Sequence, residues 1–182
     1  MTSPSKLATA HGWTLLMHPL FELQLNGLIV KVEALKTKHP DNYKTKNDTK
    51  RLAAIEALVF DIIPQDPARS EYRQGAALGA QHKHWFRAKF FQQYRLFFRY
   101  HQASKIIVYA WVNDETTLRA YDSKTDAYQV FARMLQSGNP PDDWDGLLAS
   151  IKLEALRADI QSGISSGTGR PLADVSRDSK KY

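Results

Sequence analysis

Cysteine is absent from the 182 residues of this chain. Its absence excludes disulfide bonds, a thiolate nucleophile and every zinc site that depends on cysteine. The sequence also lacks an apolar run near the ~18 residues that a membrane-spanning helix needs. Residues 1–10 contain one lysine and no continuous apolar stretch, which is not the pattern of a secretory signal. We therefore expect a cytoplasmic protein with no membrane partner.

Acidic residues are in the minority. The chain has 25 lysines and arginines against 19 aspartates and glutamates, a formal net charge of +6, and a pI of about 9.5. Such an excess attracts polyanions, including nucleic acids, and speeds encounter with them. Excess charge most often lies on a surface that is simply solvated. The position of the basic residues in the fold therefore decides whether they indicate a polyanion partner.

Two N-terminal helices are predicted after a short strand at residues 13–18. Pro19 suits the first turn of the first helix, where a missing N–H costs nothing. Apolar side chains recur along this helix every three or four residues: Phe21, Leu25, Leu28, Val32 and Leu35. The second helix has the same spacing until Pro64 ends it: Leu52, Ile55, Val59 and Ile62.

Strand patterns dominate the middle of the chain. Residues 84–90, 94–100 and 105–112 are rich in aromatic and β-branched side chains, and short links join them into an antiparallel meander. Two further helices are predicted at residues 124–136 and 144–160.

These elements predict the α+β fold class. A small antiparallel sheet packs against the two N-terminal helices, and further helices follow at the C-terminal end. We expect one domain at residues 11–160, between a flexible N-terminus at 1–10 and a flexible tail at 161–182 that is rich in serine, glycine and charge.

Alternation along the first two meander strands separates apolar from basic side chains. The apolar set should pack on the helices, which leaves the other set on an outer face: Lys83, Trp85, Arg87, Lys89, Arg95, Phe97 and Arg99. Residues 83–133 contain nine basic and four acidic residues, a net charge of +5. The aromatic rings among the cations favour RNA binding, because bases stack on rings while lysine and arginine hold phosphates. A merely solvated face is the alternative.

Two histidines precede the first meander strand. His82 and His84 are spaced as a pair that could bind a metal or transfer protons. Since the sequence shows no cysteine and no acidic residue beside them, we expect no metal site here.

Several motifs resemble a known family. The run Tyr94-Arg95-Leu96-Phe97-Phe98-Arg99-Tyr100 resembles the YRL(F/V)(F/Y) strand of RelE-like toxins. Further segments follow in the order of the YhaV toxin family within that superfamily: Gly12-Trp13, His18-Pro19, residues 113–121, residues 124–131, and Pro140-Pro141-Asp142-Asp143-Trp144. The resemblance spans residues 11–146 and implies a RelE-like fold.

The resemblance also implies a function. The implied protein is the toxin of a type II toxin–antitoxin system. It would be an endoribonuclease that cleaves mRNA on the ribosome and uses no metal or other cofactor. The implied partner is a PrlF-like antitoxin of the AbrB type, and the complex of toxin and antitoxin would contact operator DNA.

The resemblance further implies which residues act. The implied catalytic residues are Arg87, Lys89, Arg95, Arg119 and Tyr128. Tyr128 matches the family's tyrosine when the count starts from the helix, whereas Tyr121 matches when it starts from Arg119. The residues expected to bind RNA are Lys83, Trp85, Phe97, Arg99, Tyr121 and Lys124.

Three other functions remain open from the sequence. A ParE-like toxin would share the fold but poison DNA gyrase without catalysis. A non-catalytic nucleic-acid-binding module could use the same basic face. The third alternative is a structural partner protein. In such a protein the repulsion between the clustered positive charges would lower stability without serving a function.

Overall fold

The computed structural model describes residues 8–165. At its centre lies a five-stranded sheet with the strand order β1-β2-β5-β4-β3. The strands are β1 (Ala8–Ala10), β2 (Trp13–Met17), β3 (Phe86–Phe90), β4 (Tyr94–His101) and β5 (Ile106–Val112). The predicted meander is confirmed, since β3 pairs antiparallel with β4 and β4 antiparallel with β5.

The sheet is mixed, which corrects the expectation of a purely antiparallel one. β2 lies parallel to β5, with Leu15 opposite Ile107. Parallel pairing needs a long crossover, and the helical segment between these strands supplies it. β1 pairs with β2, so the ordered domain begins before residue 11. Residues 1–7 of the predicted flexible N-terminus lie outside the described residues.

The two N-terminal helices are α1 (Pro19–Lys38) and α2 (Asn47–Ala57). The side chain of His18 caps α1 by accepting the Leu20 N–H at 3.2 Å. The apolar stripe of α1 is buried against the sheet, and Phe21 has no exposed surface. The face of β4 that carries Leu96 and Phe98 meets this layer, as the alternation predicts.

The end of α2 departs from the predicted helix. A π-helical turn (Leu58–Ile62) leads into α3 (Ile63–Gln65), and the Ile63 N–H donates to the Leu58 carbonyl five residues earlier. This wider turn admits Pro64, so the helix runs one residue past the proline instead of stopping there. The extra residue in the π-helical turn also changes which apolar side chain faces the core. Ile63 is fully buried, while Ile62 is 36% exposed.

Two C-terminal helices cover the second face of the sheet. They are α4 (Ala127–Gln136) and α5 (Trp144–Ser165). Their apolar side chains form a second core with the sheet that includes Phe131 and Leu147. α5 therefore extends past residue 160, where the flexible tail was predicted to begin, and residues 166–182 lie outside the described part. Across residues 8–165, no helix is long and apolar enough to span a membrane.

Candidate active site

The outer face of the sheet is covered, which corrects the expectation of an open basic surface. Trp85 and Phe97 are fully buried. The ring of Trp85 meets Phe131 edge-on at 5.1 Å, and Phe97 stacks on Phe131 at 4.3 Å. Neither ring offers a face to an RNA base. The reason is the apolar stripe of α4, which needs a partner surface and finds it here.

The hydroxyl of Tyr128 is the centre of the cationic cluster. The Nε of Arg87 donates to it at 2.7 Å and the Nε of Arg95 at 3.3 Å. A phenol oxygen accepts two hydrogen bonds and donates one. Since both acceptor positions are taken by arginine, the hydroxyl hydrogen of Tyr128 is left to donate to a ligand.

Both arginines are held rigidly by backbone carbonyls. Arg87 NH1 donates to the Glu71 carbonyl, and Arg95 NH1 donates to the carbonyls of Gln92 and Tyr94 at 2.7 and 2.8 Å. The two side chains are 8% and 7% exposed. Among the side chains that the structure describes, neither has a carboxylate partner. Two recessed positive charges without a counter-ion make a strong site for an anion.

Arg119 joins the cluster from the loop before α4. Its guanidinium lies 4.6 Å from the ring centre of Tyr128 and 4.2 Å from that of Tyr121. It also pairs with Asp126. Tyr128 is buried, whereas Tyr121 is 86% exposed. The geometry thus gives the two tyrosines different environments, one inside the cluster and one at its rim.

Asp126 and Asn113 support the cluster, and the sequence reading assigned neither a role. Asp126 caps α4 by accepting the Tyr128 N–H at 3.1 Å. Its negative charge also offsets the positive end of the α4 dipole and pairs with Arg119. The Asn113 side chain accepts the Arg95 N–H at 2.6 Å. An aspartate just before an apolar stripe is a recognisable cap, but the pairing of Asn113 with Arg95 is tertiary.

Lys89 lies directly opposite Arg95 across β3 and β4, and its side chain is exposed. The predicted adjacency of these two cations is thereby observed. Beside β3 runs a groove of about 470 Å³. Its lining includes Arg73, Arg87 and Lys89. Arg87 and Lys89 therefore border the same groove.

Within the described residues, none of the remaining predicted RNA-binding residues hydrogen-bonds to the Tyr128 hydroxyl. Lys83 and Lys124 are exposed. Arg99 packs between the rings of Trp85 and Trp144 at 5.7 and 5.4 Å, and burial lowers the pKa of its guanidinium. The structure therefore places Arg99 with a different group of residues.

That group centres on Asp142. Its Oδ1 accepts hydrogen bonds from His82 Nδ1 and His84 Nε2, both at 2.9 Å, and from Trp85 Nε1 at 2.8 Å. Partial burial by itself would raise the pKa of Asp142, but these bonds outweigh it and keep that pKa below its usual value. The expectation that no acidic residue lies near the histidines is wrong, because the fold brings in a carboxylate from about sixty residues away.

Guanidinium groups gathered around one phenol, on a small α+β domain, form a site suited to an enzyme that cleaves a phosphodiester. The family comparison agrees: residues 15–152 match the YhaV toxin family, described as a toxin with endonuclease activity, of a toxin–antitoxin system. The chain belongs to this family. It is a toxin with endonuclease activity, and its system includes an antitoxin partner.

Curated relatives from Escherichia coli agree with the family match. Toxin YhaV of strain CFT073 (O6:H1) is 46% identical over 139 residues, which cover 75% of this chain and 90% of the relative. Ribonuclease toxin YhaV of strain K12 is 45% identical over the same share of each chain. No solved structure gives a significant match.

Proposed function

We propose that the chain cleaves RNA at the cluster around Tyr128, through attack of a ribose 2′-OH on the adjacent phosphate. The observation that carries the proposal is the pair of buried arginines, Arg87 and Arg95, which share the Tyr128 hydroxyl and lack a carboxylate in the described residues. The printed name of the K12 relative, a ribonuclease toxin, supports RNA as the substrate.

The arginines bind and stabilise the scissile phosphate. In the transition state the 2′-OH gives its proton to solvent water while the new bond from the 2′-oxygen to phosphorus forms and the bond to the 5′-oxygen breaks. Negative charge accumulates on the phosphoryl oxygens between the two guanidinium groups. Lys89, across from Arg95, adds positive charge at the groove. The products are a 2′,3′-cyclic phosphate and a 5′-hydroxyl.

Tyr128 is the proton donor to the leaving 5′-oxygen. Its acceptor positions are filled by arginine, so its hydrogen is directed to the ligand. Arg119 holds the ring from its face, at 4.6 Å. Tyr121, exposed beside Arg119, supplies a ring on which a base can stack. Lys83 and Lys124 are exposed cations that can contact phosphates farther along the RNA.

The wider biological setting follows the same proposal. The substrate is mRNA, cut on the ribosome in the cytoplasm, which inhibits translation and growth. The antitoxin is PrlF-like and covers the basic groove with acidic side chains. The complex of toxin and antitoxin contacts operator DNA.

The test uses Tyr128→Phe, which keeps the ring and removes only the hydroxyl. Purified wild-type and variant chains are compared for RNA cleavage, and RNA 5′ ends are mapped after expression of each chain alone. Loss of a general acid should slow cleavage by about 10²- to 10⁴-fold. Tyr43→Phe, in a 3₁₀ turn (Tyr43–Thr45) away from the cluster, is the matched control and should cleave at the wild-type rate.

Three outcomes would contradict the proposal. A folded Tyr128→Phe protein with wild-type cleavage would remove Tyr128 from the chemistry. A large loss in Tyr121→Phe, which keeps the stacking ring, would transfer the proton-donor role to Tyr121. Intact RNA with induced DNA damage in cells expressing the wild-type chain would favour the gyrase-poisoning alternative.

A further inference from the structure

A second cluster of chemically active side chains lies at the other end of β3 from the turn that leads to Arg95. One ligand atom from each of His82, His84 and Asp142 comes within 4.8 Å of the other two. His82 and His84 lie just before β3, and Asp142 lies between α4 and α5. The proposed cleavage mechanism uses none of these three residues.

The spacing of the donor atoms suits a small transition-metal ion. Each histidine nitrogen lies 2.9 Å from the same Asp142 oxygen. Ligands of a tetrahedral zinc ion, at about 2.0–2.1 Å from the metal, are separated from one another by roughly 3.3 Å. The two distances from the histidine nitrogens to Asp142 would therefore need to lengthen by only a few tenths of an ångström for the three groups to hold an ion.

Neighbouring groups hold the carboxylate in place. The Nε1 of Trp85, whose ring is fully buried, donates to Asp142 at 2.8 Å. Arg99 NH1 donates to the Asp142 backbone carbonyl at 2.7 Å. Such outer contacts orient the ligands of metal sites and strengthen binding.

The cluster is also accessible. The side chain of His82 is buried, but those of His84 and Asp142 are each 36% exposed. An ion can thus enter from solvent, and water can complete its coordination. Imidazole with a carboxylate favours zinc and similar transition metals over magnesium or calcium.

We propose that His82 Nδ1, His84 Nε2 and the Asp142 carboxylate bind one divalent transition-metal ion of the zinc class. The protons that the two ring nitrogens now donate to Asp142 move to the opposite ring nitrogens or to solvent when the metal binds. The bound ion ties the segment before β3 to the segment between α4 and α5. Its role is structural, because the Tyr128 hydroxyl is bonded by Arg87 and Arg95 and by none of the three ligands.

The test is zinc titration of the untagged full-length chain, followed by calorimetry and by thermal unfolding. The wild-type chain should bind one Zn²⁺ with a rise in Tm. His84→Ala removes a partly exposed ligand and should weaken binding at least tenfold. His101→Ala is the matched control, since His101 is exposed and bonds to Ser104 outside the cluster. It should bind zinc as the wild type does.

Asp142→Asn provides a second variant, because the amide oxygen can still accept the Trp85 N–H while coordinating metal poorly. With Co²⁺ as the probe, the visible absorption typical of a low-coordinate site should appear in the wild type and disappear in Asp142→Asn. Absence of saturable binding in the wild type, or equal binding by the wild type and His84→Ala, would overturn the proposal. These readouts do not depend on cleavage, so they fail or succeed independently of the ribonuclease assignment.

Discussion

The two polar clusters on the outer face of the sheet differ in the group at their centre. Around Tyr128, Arg87 and Arg95 are buried without a carboxylate partner in the described residues. Around Asp142, one carboxylate accepts from two imidazoles and an indole. Both border the same aromatic core, because Phe97 meets the ring of Tyr128 and Trp85 donates to Asp142.

The difference shows how one sheet face can carry two kinds of site. A buried cation without a counter-ion is costly until an anion arrives, so the first cluster favours a phosphate. A carboxylate that already gathers nitrogen donors can exchange their protons for a metal cation. The following experiments test whether the two clusters are separate in function.

The largest effect is expected for Arg95→Ala. Removing one of the two guanidinium groups that stabilise the phosphate should slow RNA cleavage by roughly a hundred- to a thousandfold, or about 2.7–4 kcal/mol, and abolish growth inhibition. Arg133→Ala is the matched control, since Arg133 is an exposed arginine on α4. Circular dichroism checks that each variant is folded. Full toxicity in folded Arg95→Ala would separate the cationic cluster from the activity.

A smaller change is expected in the rate of antitoxin association. An acidic antitoxin drawn to Arg87, Lys89 and Arg95 should associate more slowly as salt rises, because charge steering is screened over about 10 Å at 0.1 M. We expect a decrease of about tenfold or more between low and high salt, measured by stopped flow. A rate that does not depend on salt would argue against a charged contact surface. Hydrogen-exchange protection confined to α1 and α2 would place the antitoxin elsewhere.

Asn113→Ala tests the support beneath Arg95. Asn113 is fully buried, and its amide donates to the carbonyls of Gln93 and Thr117 at 2.9 Å. The substitution leaves these groups and the Arg95 N–H without their partner, which should lower the free energy of unfolding by about 1–3 kcal/mol. Urea denaturation measures the loss. Asn42→Ala, at an exposed position before the 3₁₀ turn, should change stability by less than about 0.5 kcal/mol. An equal effect of both variants would refute the supporting role.

The smallest effect is expected from metal chelation, which should affect the Asp142 cluster and not the Tyr128 cluster. Excess EDTA should leave the cleavage rate unchanged, because the side chains that converge on Tyr128 are guanidinium groups, which repel metal ions. The same EDTA should lower the Tm of a zinc-loaded chain to that of His84→Ala. Cleavage that is lost in EDTA and restored by Mg²⁺ or Zn²⁺ would show that the reaction needs a metal.

Much of the fold could be predicted from the sequence because it depends on local periodicity. Alternation in the strands assigned Leu96 and Phe98 to the helix-facing side, and the spacing in α1 assigned Phe21 and Leu25 to the core. These patterns reflect each element's own geometry. The family motifs, which also lie in contiguous segments, indicated the endonuclease toxin family that the comparison confirms.

Tertiary structure alone decided what covers the outer face. Alternation placed Trp85 and Phe97 opposite the N-terminal helices, but it could not show that α4 returns to bury them. It also left Tyr121 and Tyr128 as alternatives, and only the fold brings the Tyr128 hydroxyl to two arginines. Likewise, Asp142 meets His82 across 60 residues. Such contacts depend on how distant elements pack, and local periodicity carries no information about that packing.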